Sequence, residues 1–174
     1  APKSPSAVKV AIAGPWTVRF PPGWGAPASV LWNGLIDWTR SEDPGIRYFS
    51  GTASYTAEFE VDGPPAGPGQ GAFLDLGSLR EVAEVALNGR SLGILWKEPF
   101  QADVSGLLKS GRNVLEVKVT NLWHNRLMGD LLDPAHKSAA RTNMILKPGE
   151  PIPAGLFGPV TIRRASPIGP TEDE

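Results

Sequence analysis

Between Asn113 and Asn121 the residues change character at every step: Leu115, Val117 and Val119 alternate with Glu116, Lys118 and Thr120. Successive side chains of an extended chain point to opposite faces, so this run is a strand with one dry face and one wet one. A dry face has to be covered by a second layer. Upstream, Asn88-Gly89 is the strongest short signal for a two-residue hairpin turn, because both central residues of such a turn need positive φ. Val82 to Leu87 leads into that turn, and a Pro99-Phe100 corner and a turn signal at Gly106 follow it. A loop at Lys109-Ser110-Gly111 then feeds the alternating strand.

The remaining segments repeat this pattern on a smaller scale. Val8, Val10 and Ile12 alternate with Lys9 and Ala11; Gly14-Pro15 turns the chain, and Trp16, Val18 and Phe20 alternate with Thr17 and Arg19. The stretch Pro21 to Pro27 excludes helix interior and central strand, since proline lacks a backbone donor and fixes φ. Val30 to Trp38 is compatible with a helical turn or an extended piece, and Ser41 to Gly45 reads as a loop. Thr52 to Val61 is a long strand with Tyr55, Ala57, Phe59 and Val61 on one side and Thr56, Glu58 and Glu60 on the other. The loop tip Gly63 to Gly69 connects it to short strands at Phe73 to Leu76 and Val82 to Leu87. Beyond Asp130 the pattern fades. Asp133-Pro134 and the run His136 to Arg141 read as an irregular connection with room for one short helix, Pro148 to Gly158 as loop, and Val160 with Ile162 as a closing strand. Eight to ten short strands between turn signals predict an all-β chain, an antiparallel β-sandwich.

A chain of 174 residues suits one domain. With 17 basic against 18 acidic residues, no basic footprint points to nucleic acid. No apolar run approaches the roughly 20 residues of a membrane span. Cysteine is absent, which rules out disulfides, thiolate nucleophiles and zinc–sulfur sites. No Gly-rich loop is followed by Lys-Ser or Lys-Thr, so no phosphate cradle is expected. The expected organisation is a linker or mature start over residues 1–7, the sandwich over residues 8–165, and a flexible acidic tail over residues 166–174.

The run from Leu87 to Asn121 resembles the sugar-binding domain of family 2 glycoside hydrolases, a galactose-binding-like jelly roll, through Asn88-Gly89, Leu92-Gly93, Pro99-Phe100, Asp103-Val104, Leu108, Gly111, Asn113, Leu115, Val117 and Val119. A closer likeness is to the C-terminal domain of α-L-rhamnosidase-like enzymes of family 106. It is carried by Tyr48-Phe49-Ser50-Gly51-Thr52-Ala53, Leu95-Trp96-Lys97, the run Asn121 to Asp130, and Gly155-Leu156-Phe157-Gly158-Pro159-Val160. It extends from about Ile12 to Arg164. Nothing in the chain resembles the catalytic barrel of those enzymes. The resemblance therefore implies an accessory domain, either part of a larger enzyme or working alone; a catalytic glycoside hydrolase domain is the expected partner, the expected setting is secreted or periplasmic, and the expected state is a monomer. It also allows a structural calcium ion, whose ligands the sequence does not identify.

Binding a polysaccharide or oligosaccharide requires flat apolar faces for the C–H side of a pyranose and planar groups that address neighbouring hydroxyls. Trp123, His124, Asn125, Arg126 and Asp130 offer that set on what reads as one loop. The alternative is that Trp123 caps the core while Arg126 and Asp130 form an internal ion pair. Trp16 is in phase with core residues, and Trp24 and Trp32 fit either role. Trp38 and Trp96, each followed by polar residues, are expected to be exposed sugar-binding candidates. Carboxyl pairs such as Asp130 with Asp133, or Glu98 with Asp103, are weak grounds for hydrolysis, because such pairs normally come from separate strands. His124 and His136 fit no zinc spacing. The expectation is a non-catalytic carbohydrate-binding module; the rival is a structural domain that packs on a catalytic barrel without binding sugar.

Overall fold

The computed structural model describes residues 8–63, 71–133, 142–143, 147 and 149–164. In chain order its strands are β1 (Val8–Ala11), β2 (Trp16–Arg19), β3 (Ser29–Trp32), β4 (Thr52–Val61), β5 (Ala72–Asp75), β6 (Ser78–Arg80), β7 (Val82–Leu87), β8 (Arg90–Leu95), β9 (Gln101–Asp103), β10 (Gly111–Thr120), β11 (Gly155–Gly158) and β12 (Thr161–Arg164). Among the described residues a 3₁₀ turn spans Trp38–Arg40, followed by helices α1 (Pro44–Arg47) and α2 (His124–Leu132).

The alternating strand is the centre of the larger sheet. β10 pairs with β4 along its whole length, from Gly111 opposite Val61 to Thr120 opposite Thr52, and with β7 on its other side. The full order is β3-β2-β4-β10-β7-β8. A four-stranded sheet, β1-β12-β5-β9, lies across the core, and a small β11-β6 ribbon completes the architecture. All named strand pairs are antiparallel. This is the all-β sandwich that the alternation predicts.

The dry faces meet as expected. Leu115, Val117 and Val119 of β10, Tyr55, Ala57, Phe59 and Val61 of β4, and Trp16 and Val18 of β2 are all buried in one cluster that includes Leu74 of β5 and Ile162 of β12. Each such aliphatic side chain contributes roughly 1.5–3 kcal/mol by leaving water. Asn113 occupies the same inward phase and is also buried, but its carboxamide is satisfied. It accepts from Lys109 N and Asn88 Nδ2, and donates to the carbonyls of Lys109 and Gly111. The predicted hairpin turn is present, with φ of 52° at Asn88 and 76° at Gly89 joining β7 to β8. The Asn88 side chain then ties that turn to the next loop through Leu107 O and Val114 N.

Four expectations about the elements change. The stretch Ser41 to Gly45 is loop only as far as Asp43, because Pro44 and Gly45 open the short helix α1. The ambiguous segment after Val30 is extended through Trp32, because β3 adds to the edge of β2 with Val30 opposite Val18. The stretch expected to be loop up to Gly158 contains β11, paired with β6. The post-strand cluster is not a loop: from His124 to Leu132 it is helical. No β-branched residue occurs between Leu122 and Leu132, so nothing there resists helical χ1 geometry, and Asn125, Arg126, Met128, Gly129 and Asp130 form its buried side. The expected lead, the acidic tail, residues 64–69 of the loop tip and residues 136–141 lie outside the described residues.

Candidate functional site

The site is assembled where β10 ends. Asn121 stitches that end to the segment following α1: its Nδ2 donates to Phe49 O at 3.0 Å, its Oδ1 accepts from Gly51 N at 2.9 Å, and its own N–H reaches Gly51 O at 3.2 Å. α1 is started by Asp43, whose carboxylate accepts from Gly45 N and Ile46 N, with Pro44 as the first helical residue. The two stretches that resemble the rhamnosidase-like family, 48–53 and 121–130, are therefore neighbours in space.

Within α2 the polar residues are turned inward and engaged. Asn125 is buried, and its carboxamide behaves like a strand partner for Ile152, donating to its carbonyl and accepting from its N–H, both at 2.8 Å. The Arg126 backbone N–H donates to Ser50 Oγ at 3.0 Å. The Arg126 guanidinium donates from Nε to Asp130 Oδ1 at 2.9 Å, with Nη2 at the same distance, one helical turn apart. Nη1 reaches the Trp24 carbonyl at 3.5 Å. This is the internal ion pair that the sequence left open as the alternative to sugar binding. Asp130 is buried against that arginine, so it presents no carboxyl to a glycosidic bond.

These contacts leave a groove of about 520 Å³ between α1 and α2, lined by Gly25, Gly45, Tyr48, Arg126, Gly129 and Leu132, with Pro44 and Asp133 completing it. Its walls approach closely because glycines occupy the contacts. A Cβ on Gly45 would lie 2.0 Å from Gly25 O, and one on Gly129 would lie 2.7 Å from Tyr48 Cβ. Beside it, the rings of Trp24 and Trp123 meet edge to face at 5.3 Å, and Trp123 is 51% exposed. Among the described residues the guanidinium hydrogen bonds end at Asp130 and Trp24, so N–H groups of Nη1 and Nη2 are left over on an arginine that lines the groove.

The predicted candidates thus divide. Trp123, His124 (half-buried, the first residue of α2), Asn125, Arg126 and Asp130 are brought together. Trp96 is 70% exposed but stands just past the edge strand β8, with Lys97 Nζ 5.7 Å from its ring centroid, and does not line this groove. Trp38 corrects an expectation: it is fully buried. Its ring stacks on Tyr55, meets Phe20 and Phe49 edge to face, and donates its indole N–H to the Tyr55 hydroxyl. The polar residues after it cap a turn and do not signal exposure. Tyr48 and Gly129 lie in stretches that carry the family resemblance, but nothing in the sequence marks them or Gly25 and Gly45 as groove residues, and their proximity in the fold reveals that role. No three His, Asp or Glu groups converge among the described residues, so no carboxylate cluster there marks ligands for the calcium ion that the resemblance allows. His136 lies outside them.

No family model matches the chain. A curated protein of Formosa agariphila described as "Putative beta-glucuronidase" is 39% identical over 178 residues, covering 88% of this chain. The solved rhamnosidase of Novosphingobium sp. PP1Y superposes with a TM-score of 0.78 at 37% identity over 94% of the chain. A beta-D-glucuronidase of Dictyoglomus thermophilum shares the fold, with a TM-score of 0.61 at 18% identity. The chain spans only 15% of the length of each of the first two and 29% of the third. The chain matches a small accessory domain of a larger glycoside hydrolase.

Proposed function

We propose that this domain is a non-catalytic carbohydrate-binding module that holds a plant or microbial polysaccharide for a glycoside hydrolase, outside the cytoplasm, with the groove beside α2 as its binding site. The observation that supports this reading is the groove itself. It combines the Tyr48 side chain, a fixed guanidinium with N–H groups to spare and glycine backbone, and it lies beside the half-exposed Trp123. A pyranose presents an apolar C–H face and a rim of hydroxyls, and this lining offers a partner for each. The Arg126–Asp130 pair does not compete with that role. It holds the guanidinium plane still, so that ordering the arginine adds little to the cost of binding.

The test is retention of the chain on a panel of immobilised polysaccharides, run with Trp123→Ala and Trp96→Ala. The expected outcome is that one glycan retards the wild type, that Trp123→Ala weakens binding roughly tenfold, about 1.4 kcal/mol, and that Trp96→Ala leaves it unchanged. Retention unaffected by Trp123→Ala and by Tyr48→Ala would move the site elsewhere. A second reading has its own support: Leu122, Trp123, Leu131 and Leu132 are all exposed around α2, an apolar corner suited to a protein neighbour. If no glycan is retained and Leu122→Ser with Leu132→Ser suppresses self-association, the domain is a packing element for a catalytic barrel.

A further inference from the structure

A second groove, of about 470 Å³, lies between the 3₁₀ turn and β11, lined by Leu35, Ile36, Asp37, Arg40, Pro153 and Phe157. Its size falls in the range of roughly 300–1,000 Å³ common to small-ligand sites. Asp37 precedes the turn and serves it with one oxygen only. Oδ1 accepts from Thr39 N at 3.0 Å, Thr39 Oγ1 at 2.8 Å and Ala154 N at 3.1 Å. Among the described residues Oδ2 makes no hydrogen bond, so a carboxylate already held rigid keeps one acceptor open. Arg40 is the last residue of the turn and lines the same groove. Its guanidinium is exposed and, among the described residues, has no hydrogen bond or ion pair, not even to Asp37. An acceptor and a donor therefore line one groove without pairing with each other. Phe157, Pro153, Leu35 and Ile36 supply its apolar surface.

We infer that this groove is a second carbohydrate subsite, separate from the one beside α2, which takes a neutral sugar ring carrying two adjacent hydroxyls. One hydroxyl donates to Asp37 Oδ2, its neighbour accepts from Arg40, and the C–H face of the ring lies on Phe157 and Pro153. A neutral ring suits this pair, because the Asp37 carboxylate beside Arg40 offsets the attraction that the guanidinium alone would exert on a uronate. The inference stands on residues that the first groove does not use.

The experiment is a titration of the chain with methyl α-L-rhamnopyranoside, methyl β-D-glucopyranoside and sodium D-glucuronate, followed by the backbone amide NMR signals of Thr39, Ala154 and Phe157. A saturable shift of these signals is expected with at least one neutral glycoside and not with glucuronate. Arg40→Gln, a change at an exposed side chain, weakens it about tenfold, as loss of a charge-assisted hydrogen bond does. Asp37→Asn keeps Oδ1 for the turn, turns the open acceptor into a donor, and lowers affinity similarly. Trp123→Ala leaves these signals and their midpoint unchanged. The proposal is overturned if none of the three amides shifts saturably, if Arg40→Gln binds as the wild type does, or if glucuronate is preferred. Shifts confined to Tyr48, Arg126 and Gly129 would overturn this subsite while upholding the groove beside α2.

Discussion

Single side chains show how far polarity in sequence misleads about burial. Tyr55 sits at the centre of the core, accepting from the Trp38 indole N–H and from Leu156 N. Burial pushes its phenol well above the ordinary tyrosine value, and these two hydrogen bonds offset only part of that shift. A phenol whose folded pKa is raised contributes stability that is fully present below the unfolded value of about 10 and is lost as pH rises from there toward the folded value. Thermal melts of the wild type are expected to lose up to about 1.4 kcal/mol per pH unit above pH ~10 from this group. Tyr55→Phe removes that part of the alkaline slope, and an unchanged slope would show that the phenol ionises equally well when folded. Trp38 belongs to the same cluster. Its followers Thr39, Arg40 and Ser41 suggested exposure because a turn requires polar residues, yet Asp37 and Ser41 end that turn within one residue on either side. Capping residues and surface residues are drawn from the same alphabet, so their order alone does not separate them.

Elements were legible in proportion to the length of their repeat. Strands β4 and β10 run ten residues each, and their alternation is reproduced in the buried pattern. β11, with glycine at both ends and only Leu156 and Phe157 between them, offers no repeat to read. α2 hid behind its own chemistry, since an Asn, an Arg and an Asp look like a functional loop when they in fact face inward. The absence of β-branched residues was the usable signal. This helix also predicts a reversal of sign. Alanine normally stabilises a helix interior relative to glycine by up to about 1 kcal/mol. In Gly129→Ala the new methyl would lie 2.7 Å from Tyr48 Cβ and 3.0 Å from Arg126 Nη2. The variant is expected to melt at lower temperature, by several degrees, and to lose glycan binding at the groove as Tyr48 is displaced; a higher melting temperature would show that Tyr48 moves aside freely.

At the scale of the whole molecule, one cluster of buried side chains runs from Ile12 to Ile162 and draws on both main sheets and the β11 ribbon. Among the described residues no sheet has a core of its own, so the sheets should not melt separately. Heat unfolding followed by far-UV circular dichroism and by tryptophan fluorescence is expected to give one coincident transition. An earlier fluorescence change would mean that the Trp16–Trp38–Tyr55 end opens first. The sandwich itself was readable because an all-β core is a sum of local alternations. The grooves were not, because each is bounded by segments distant in sequence: Gly25, Tyr48 and Gly129 in one, Asp37 and Phe157 in the other. One pairing bears on how such a unit is carried. β1 and β12 lie side by side, Val8 opposite Arg164, so a longer polypeptide can lead into the fold and out of it at points a single strand spacing apart, roughly 5 Å. Entry and exit that close together are what insertion into a loop of a larger chain requires.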